Sequence, residues 1–382
     1  MSYSPPNSAK PFTLNISDKD LSEWRQLLEL SRIGPLTYEA QDDKYGVTQE
    51  WITNAKDHWL NKFDWRVQEK HINSFPNYTT EIEGLNVHFT ALFSEKKDAI
   101  PIVFLHGWPG SFIEFLPLAS LIREKYSAKD QPYHIIIPSL PGYTLSSGGP
   151  TNKDWTIQDT ARIINTLMKG LGFNKYISQG GDIGSIVSTV LSQYEEVAGI
   201  HLNMLGNVDI PDESTLTEFE KTAVENAKLW RVTGSAYAQE HGTRPATIGF
   251  VLNSNPLSLL AWIGEKFLSW SDTTPPLDTI LTNISLYWFT HSFPRSIYPY
   301  RQLFGAARNA PAPIPKPFGF SWFPKEIFPG IESEVKKRGD GKKGELVFYK
   351  QQREGGGHFA ALEKPRELWG DVEEFVGKVW KQ

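Results

Sequence analysis

The sequence predicts an α/β fold in which helices flank a mostly parallel central sheet. From residue 101 onward, short apolar segments of strand length alternate with longer segments of helical periodicity, as is typical of parallel strands buried on both faces. The predicted strands occupy residues 102–105, 135–137, 176–178 and 200–204. The predicted helices between them occupy residues 112–126, 157–171 and 183–194. The alternation stops near residue 206 and resumes near residue 318, so an insertion interrupts the sheet.

The segment that precedes this alternation, residues 1–95, has a different pattern. Apolar residues at helical spacing predict two helices, at residues 18–31 and 48–63. Alternating apolar and polar residues then predict a β-hairpin, with its two strands at residues 79–82 and 85–93. The chain therefore begins with a mixed helical and strand-forming segment before the parallel sheet.

The insertion after residue 206 is rich in Trp, Tyr and Leu and is predicted to be helical. Strand-like segments return after it, so it is expected to be a lid between two halves of the core and not a separate C-terminal domain. The later elements are two strands and a closing helix, at residues 318–323, 346–350 and 365–380. The predicted organisation is an N-terminal segment, a first core half, a helical lid and a second core half, at residues 1–95, 96–205, 206–310 and 311–382.

Composition excludes several classes of function. The 382 residues carry a net charge of −5 with both signs interspersed, so nucleic acid is not an expected partner. The absence of cysteine excludes disulfides, thiolate metal sites and cysteine nucleophiles. No apolar run approaches the ~18 residues of a membrane span, and the polar N-terminus does not resemble a signal peptide. We expect a cytoplasmic protein.

Residues 180–184 read Gly-Gly-Asp-Ile-Gly and indicate a specific chemistry. They have the spacing of a nucleophile elbow, a tight strand-to-helix turn, with Asp182 where serine is usual. A carboxylate that attacks a carbonyl carbon gives an unproductive anhydride, whereas attack on a saturated carbon gives a stable ester. Asp182 therefore predicts an enzyme that is alkylated by an epoxide or an alkyl halide and then hydrolyses the ester.

An elbow nucleophile is followed along the chain by an acid and a histidine. Of the nine histidines, only His358 lies on a glycine-rich loop after a late strand, and we expect it to be the general base that activates water. The orienting acid is expected between the lid and His358, where Glu326 follows a predicted strand. Glu345 and Glu354 are the alternatives to Glu326.

The oxyanion hole is expected where the strand at residues 102–105 ends in His106-Gly107-Trp108-Pro109-Gly110. The predicted donors are the backbone N–H groups of Trp108 and of Ile183, the residue after the nucleophile. A cis peptide bond is predicted between Trp108 and Pro109. We expect Trp108, Pro109 and Phe359 to line the substrate pocket.

Motifs along almost the whole chain, from about residue 11 to residue 380, resemble those of the microsomal-type epoxide hydrolases, in particular the soluble fungal members. The motifs that carry this resemblance are Asp64-Trp65-Arg66, Ser74-Phe75-Pro76, Glu81-Ile82-Glu83-Gly84-Leu85 with His88-Phe89, Pro138-Ser139-Leu140-Pro141-Gly142-Tyr143, Arg244-Pro245, Phe293-Pro294-Arg295 and Gly357-His358-Phe359-Ala360-Ala361-Leu362-Glu363. The resemblance implies the α/β-hydrolase fold with a helical lid and an N-terminal segment that wraps around core and lid. It also implies detoxification or the catabolism of aromatic hydrocarbons.

The resemblance further implies two lid tyrosines whose phenols hydrogen-bond the epoxide oxygen. The matching positions are Tyr237 and Tyr300, with Tyr298 as the alternative to Tyr300 because it lies only two residues away. A neutral phenol is suited to this role, since epoxide opening builds negative charge on oxygen. Two departures from the family are Ile183, where many relatives have tryptophan, and the lack of the N-terminal anchor helix of membrane-bound members. We expect a soluble enzyme.

The sequence therefore predicts an epoxide hydrolase that needs no cofactor and no metal and whose partner is a small epoxide, with a homodimer possible by resemblance. The predicted product is a vicinal diol, formed through an ester on Asp182. Three alternatives use the same residues: a haloalkane or haloacid dehalogenase, a non-catalytic ligand-binding relative, and an enzyme that opens the epoxide with an internal hydroxyl. The identity of the epoxide, the enantiopreference and the epoxide carbon attacked do not follow from the residues.

Overall fold

The described residues of the computed structural model, 3–206, 211–304 and 312–381, contain one sheet of nine strands. The strand order across the sheet is β1-β2-β3-β5-β4-β6-β7-β8-β9. The pairs from β1 to β5 are antiparallel, and the pairs from β5 through β4 to β9 are parallel. The strands are β1 Lys10–Phe12, β2 Asn77–Ile82, β3 Leu85–Leu92, β4 Ile100–Leu105, β5 Tyr133–Pro138, β6 Tyr176–Gly180, β7 Val197–Leu202, β8 Phe318–Trp322 and β9 Leu346–Gln351.

Helices precede, cover and interrupt this sheet. Those before and within the first core half are α1 Asp18–Leu30, α2 Gln49–Asn61, α3 Trp65–Asn73, α4 Leu116–Lys125, α5 Ile157–Gly170 and α6 Asp182–Leu191. Those of the insertion are α7 Glu218–Thr233, α8 Ala236–Thr243, α9 Pro245–Asn253, α10 Pro256–Trp270, α11 Leu277–Phe289, α12 Phe293–Ser296 and α13 Tyr300–Leu303. The last are α14 Glu332–Lys336, α15 Ala360–Glu363 and α16 Pro365–Val379.

The predicted parallel sheet is confirmed, and its central strands are buried on both faces. Every residue of β6 is buried, and β4 is buried from its second residue onward, which explains their continuous apolar runs. Register aligns Gly180 of β6 with Leu105 of β4 and with Leu202 of β7. The carboxyl ends of these parallel strands therefore meet at one edge of the sheet, where ligand sites in open α/β sheets are found.

The N-terminal segment holds two elements that sequence periodicity did not predict. β1 has only three residues, which are too few to show a periodic pattern, and its pairing with β2 holds it in place. α3 is short and polar, but Trp65, Ile72 and the carboxylate of Glu69 are buried on it. The predicted helices at 18–31 and 48–63 and the predicted hairpin are confirmed to within two residues at each end.

The N-terminal segment touches both the sheet and the insertion. Strands β1 and β2 extend the sheet beyond β3, while α1 and α2 pack on α10 and α3 packs on α11. The helices α7 to α13 all lie between β7 and β8 in the chain. The predicted lid boundaries near residues 206 and 310 fall at or beside residues 207–210 and 305–311, which lie outside the described residues.

No single helix among the described ranges is long and apolar enough to cross a membrane. Helices α9 and α10 reach that length only as a pair, and they meet at a bend of 116°.

Candidate active site

Asp182 lies at the turn between β6 and α6. Gly181 is the N-cap of α6, and Asp182 is its first residue, with a φ of +46°. A positive φ is uncommon for a residue with a side chain and costs about 1–3 kcal/mol, so it persists only where the surrounding structure imposes it. The turn directs the carboxylate away from the sheet and into a cavity, with 16% of the side chain exposed.

The glycine two residues after Asp182 is needed for close packing. A Cβ on Gly184 would overlap the backbone carbonyl of Leu105, the last residue of β4. Gly184 therefore lets α6 start directly against the neighbouring strand, and this contact fixes the angle of the turn. The carboxylate also lies at the N-terminus of a helix, where the helix dipole favours negative charge.

The turn after β4 supplies a hydrogen bond to the carboxylate of Asp182. The backbone N–H of Trp108 donates to Oδ1 of Asp182 at 2.8 Å. Ile183 is the second residue of α6, and its N–H has no carbonyl partner within the helix. The predicted cis peptide bond between Trp108 and Pro109 is confirmed.

His358 lies between Asp182 and Glu326. Its Nε2 is 3.4 Å from Oδ2 of Asp182, and its Nδ1 is 3.0 Å and 3.1 Å from the two carboxyl oxygens of Glu326. The N–H of Lys325 donates to the carbonyl of Gly356, which joins the turn bearing Glu326 to the loop bearing His358. The two alternative acids, Glu345 and Glu354, are exposed. The structure thus brings together the histidine and the acid chosen from the sequence.

Charge raises the pKa of His358. Burial alone would lower the pKa, but the negative charges of Glu326 and Asp182, and the hydrogen bonds to both, outweigh burial and raise it well above its ordinary value. The imidazole is therefore protonated near neutral pH while Asp182 carries its charge.

Two tyrosines of the insertion lie in the wall of a cavity of ≈ 450 Å³. Tyr237 on α8 and Tyr300 on α13 line this cavity together with Asp182, and their ring centroids are 5.7 Å apart. Both are buried, and burial, with a smaller effect of the Asp182 charge, raises the pKa of each phenol well above 10. Both side chains are therefore neutral hydrogen-bond donors at physiological pH.

Tyr298, the alternative to Tyr300, is directed elsewhere. Its hydroxyl lies 2.5 Å from the hydroxyl of Thr160 on α5, and it is not among the residues that line the cavity. Tyr300, in contrast, packs edge-on against the Trp108 ring at 5.8 Å, and Tyr237 stacks on the same ring at 5.3 Å. The structure therefore places Tyr300, and not Tyr298, beside Tyr237.

The three residues expected to line the substrate pocket are separated. Trp108 and Phe359 line a second, smaller cavity that Asp182 also lines, and Pro109 lines neither of the two. The carbonyl of Pro109 instead accepts a hydrogen bond from Asn283 on α11 at 2.7 Å.

The sequence matches two family models, described as "Epoxide hydrolase N terminus" over residues 9–115 and "alpha/beta hydrolase fold" over residues 100–258. Epoxide hydrolase 1 of Oryctolagus cuniculus is 31% identical, and the match spans 98% of this chain and 90% of the rabbit protein. The structure of Aspergillus niger epoxide hydrolase is 47% identical, with a TM-score of 0.93 and complete coverage of both chains. The chain belongs to the epoxide hydrolase family.

A more distant member of the family has the same fold. The juvenile hormone epoxide hydrolase from the silkworm Bombyx mori is 25% identical to this enzyme, with a TM-score of 0.87 over 98% of this chain and 95% of that one. The predicted α/β-hydrolase fold and the predicted resemblance to microsomal-type and fungal epoxide hydrolases are confirmed.

Two charged residues of the enzyme lie at the site but were not predicted from the sequence. Lys266 on α10 is buried, and its Nζ lies 4.5 Å from the ring centroid of Tyr237 and forms an ion pair with Glu265. Glu114 lines the smaller cavity with Asp182 and His358. Glu114 is an isolated charge in an apolar stretch, and Lys266 lies with Glu265 in another, which is the signal that could have identified them.

His241 completes the aromatic packing around the phenols. Its ring lies 4.5 Å from that of Trp108 and 4.8 Å from that of Tyr300, and its Nε2 accepts a hydrogen bond from the indole of Trp262. Burial lowers its pKa to about 3, so it is neutral. Within the described ranges, no group of three or more His, Asp or Glu side chains is placed to hold a metal ion.

Proposed function

We propose that the enzyme hydrolyses an epoxide to a vicinal diol through an ester on Asp182. The observation that carries this proposal is that one cavity has the carboxylate of Asp182 and the two neutral phenols on its walls. An epoxide bound there meets a nucleophile and two proton donors within one cavity. This is the arrangement that opening of a strained cyclic ether requires.

In the first step, a carboxylate oxygen attacks an epoxide carbon. Oδ1 accepts the hydrogen bond from Trp108 at 2.8 Å, whereas Oδ2 has only the longer 3.4 Å contact with His358, so Oδ2 is the oxygen that forms the new C–O bond. The bond from that carbon to the epoxide oxygen breaks, and the electron pair passes to the oxygen. Tyr237 and Tyr300 stabilise the developing alkoxide and supply its proton, and the phenolate regains a proton from solvent.

In the second step, water attacks the ester carbonyl carbon of Asp182. His358 takes a proton from the water, and Glu326 holds the imidazole in the required orientation. The oxyanion on Oδ1 is stabilised by the N–H groups of Trp108 and Ile183, and each such donor is typically worth about 2.7–4 kcal/mol. The bond from Cγ to Oδ2 then breaks, His358 returns the proton to Oδ2, and the diol leaves. The second proton of the water passes from the carboxyl group of Asp182 to His358, which restores the free enzyme.

The same charges that raise the pKa of His358 explain how it changes role between the steps. In the free enzyme the Asp182 charge favours the imidazolium. Ester formation removes that charge, so the pKa falls and the imidazole can release its proton and act as a base. Alkylation of Asp182 thus produces the base that completes the reaction.

The substrate class follows from the walls of the larger cavity. Apart from the three reacting side chains, most of its lining is apolar and includes Ile157, Ile183, Val190, Leu205, Phe304 and Ile327. An apolar cavity with a few polar groups favours an aryl or alkyl epoxide. We propose detoxification or catabolism of such epoxides in the cytoplasm.

The test is to trap the ester. His358→Gln removes the base but leaves the nucleophile and the phenols, so an aryl epoxide is expected to add its full mass to the protein and to remain bound. Intact-mass and peptide-mass spectrometry would locate the adduct on the peptide that contains Asp182. His71→Gln, at an exposed histidine on α3, is the matched control and should turn over with no adduct. An inactive His358→Gln protein without any adduct would contradict the proposal.

A dehalogenase is the second candidate because of one observation. The indole Nε1 of Trp108 is buried, and no hydrogen-bond partner for it occurs among the described residues. An indole N–H at the nucleophile can hold a departing halide ion. Halide release from a brominated alkane, with no diol formed from epoxides, would favour this candidate over the first.

A further inference from the structure

A buried lysine lies beside one of the two phenols. The side chain of Lys266 on α10 is only 3% exposed, although lysine is among the residues that are almost never fully buried. A buried ammonium group costs free energy unless other charges or dipoles take the place of its water. No step of the proposed mechanism uses Lys266, so the groups around its ammonium indicate what it does.

Three aromatic rings lie within 6.0 Å of this ammonium group. Its Nζ lies 4.5 Å from the ring centroid of Tyr237, 5.6 Å from that of Trp262 and 6.0 Å from that of Trp270. The two tryptophans are four residues before and four residues after Lys266, so they share its face of α10. Tyr237 belongs to α8, and its ring makes the shortest of the three contacts. At this distance a cation is attracted by the negative face of an aromatic ring.

The ion pair with Glu265 favours the charged form of Lys266. Burial lowers the pKa of Lys266, whereas the charge of Glu265 and the hydrogen bond to it raise that pKa. Burial, Asp182 and Glu265 each raise the pKa of Tyr237, so Glu265 acts on this phenol against Lys266. The side chain of Glu265 is 32% exposed and is therefore screened by water, which the side chain of Lys266 is not. Of this ion pair, the cation acts more strongly on the ring.

The two phenols of the site are therefore not equivalent. Burial raises the pKa of both, but their interaction with each other lowers the pKa of Tyr237 and raises that of Tyr300. The ammonium group of Lys266 lies over the ring of Tyr237, and its charge stabilises the phenolate form of that residue. Both effects make Tyr237 the stronger acid of the pair.

We propose that Lys266 is a positioning residue for the first step, and this inference rests on the proposed ester mechanism: its charge, acting through Tyr237, makes that phenol the one that gives its proton to the epoxide oxygen. As the epoxide C–O bond breaks, the O–H bond of Tyr237 breaks and the proton passes to the epoxide oxygen. The electron pair of the O–H bond stays on the phenolate oxygen, and Lys266 stabilises this charge while keeping its own protons. Tyr300 donates a hydrogen bond and also keeps its proton. The phenolate then regains a proton from solvent.

The test measures ester formation and ester hydrolysis separately, by rapid mixing with an aryl epoxide and intact-mass spectrometry of quenched samples. Lys266→Met removes the charge, and its thioether suits the aromatic surroundings. Ester formation is expected to fall by about 10- to 30-fold, the loss of a desolvated contact between a cation and an aromatic ring. Ester hydrolysis should change by less than about 3-fold, because the phenols take no part in it.

The chain offers a matched control for this substitution. Lys378 on α16 is exposed, forms an ion pair with Glu374 and lies 5.5 Å from the ring centroid of Phe348. Lys378→Met therefore removes the same kinds of contact at a distant surface position, and it should leave both steps unchanged.

Double variants distinguish the proposed role from a structural one. Tyr237→Phe keeps the ring but has no phenol proton, so adding Lys266→Met should slow ester formation by less than about 3-fold more. Tyr300→Phe leaves Tyr237 intact, and Lys266→Met should there have its full effect of about 10- to 30-fold. Lys266→Gln also removes the charge but keeps a hydrogen-bonding group beside Glu265, and it should repeat the loss measured for Lys266→Met. The thermal unfolding midpoint shows which variants are folded.

The outcomes are distinguishable from failure of the ester mechanism. Wild-type ester formation in Lys266→Met or, if that variant does not fold, in Lys266→Gln would overturn the role of Lys266. An equal loss in the wild-type and Tyr237→Phe backgrounds would also overturn it, because Lys266 would then act without the phenol. Ester trapping in His358→Gln still succeeds in both cases. Failure of that trapping would overturn the mechanism itself.

Discussion

The two halves of the site are held in place by different forces. The sheet half consists of Asp182, Trp108, His358 and Glu326, which lie in the turns and loops that follow strands of the sheet. They are joined by hydrogen bonds of 2.8–3.1 Å, with the longer 3.4 Å contact between His358 and Asp182. The lid half consists of Tyr237 and Tyr300, whose positions are set by packing against the rings of Trp108 and His241.

This difference indicates a division of the chemistry. In the proposed mechanism, the sheet half forms and breaks the covalent bond to the protein, which requires a fixed distance and direction between reacting atoms. In the same proposed mechanism, the lid half stabilises charge on an oxygen whose position depends on the substrate, so two phenols held by aromatic packing are sufficient. Substitutions in the sheet half should therefore stop a step, whereas single substitutions in the lid half should slow one.

The largest expected effect is that of Asp182→Asn. The amide is a poor nucleophile, so turnover should fall by at least about 10⁴-fold, comparable to the loss of a nucleophile in other covalent enzymes. No adduct should form with an aryl epoxide, even when His358 is also substituted. Rate measurement and intact-mass spectrometry check this prediction, and the thermal unfolding midpoint shows whether the variant is folded. Substantial turnover in a folded variant would place the nucleophile elsewhere.

The lid half should respond in a graded manner. Tyr237→Phe and Tyr300→Phe each remove one donor to the alkoxide, so ester formation should fall by about 10- to 10³-fold in each, and further in the double variant. Tyr298→Phe is the matched control, since its hydroxyl pairs with Thr160, and it should slow ester formation by less than about 3-fold. Single-turnover fluorescence gives these rates. A larger effect for Tyr298 than for Tyr300 would reverse the assignment.

The pKa of His358 should depend on the charge of Asp182. In the free enzyme it is raised well above 6.5 by Glu326 and Asp182 acting against burial, and removal of the Asp182 charge should lower it. Ester hydrolysis should rise with pH by up to about 10-fold per unit below this lowered pKa, because the neutral imidazole is the base. NMR titration of His358 in wild type and in Asp182→Asn, which imitates the uncharged ester, checks the shift. Equal pKa values in the two proteins would refute the coupling.

The pH dependence of the free energy of unfolding tests whether the core and the lid unfold together. Burial lowers the pKa of His201, on β7, to about 4 and that of His241, in the lid, to about 3. Below about pH 6.5 both histidines are protonated in the unfolded chain but stay neutral in the folded chain. Their contribution to stability is therefore fully present above pH 6.5 and is lost as the pH falls. Each histidine should lower the free energy of unfolding by about 2 kcal/mol between neutral pH and pH 5.

Urea unfolding of His201→Gln and His241→Gln at pH 7 and pH 5 measures this loss. Each variant should show a smaller decrease in unfolding free energy than the wild type over this interval. If lid and core unfold as one unit, both variants change the same transition. An unchanged pH dependence in His201→Gln would contradict the burial argument for the core.

The same two halves also differ in what the sequence could predict. The elbow, the turn after β4 and the loop of His358 are marked by glycines that strand-end geometry requires, so Asp182, Trp108 and His358 were identified from local sequence. Tyr237 and Tyr300 have no such mark, because packing of side chains from distant helices places them, and only the resemblance to a family located them. Glu114 and Lys266 were missed since burial of a charge is a tertiary property.

The most direct test of the ester mechanism is a single turnover of an aryl epoxide in ¹⁸O-labelled water, with enzyme in excess. The account predicts a diol without label, because its new oxygen comes from Oδ2 of Asp182, and one ¹⁸O atom in the peptide that contains Asp182. A labelled diol with an unlabelled peptide would mean that water attacks the epoxide directly, and it would contradict the role of Asp182 as nucleophile.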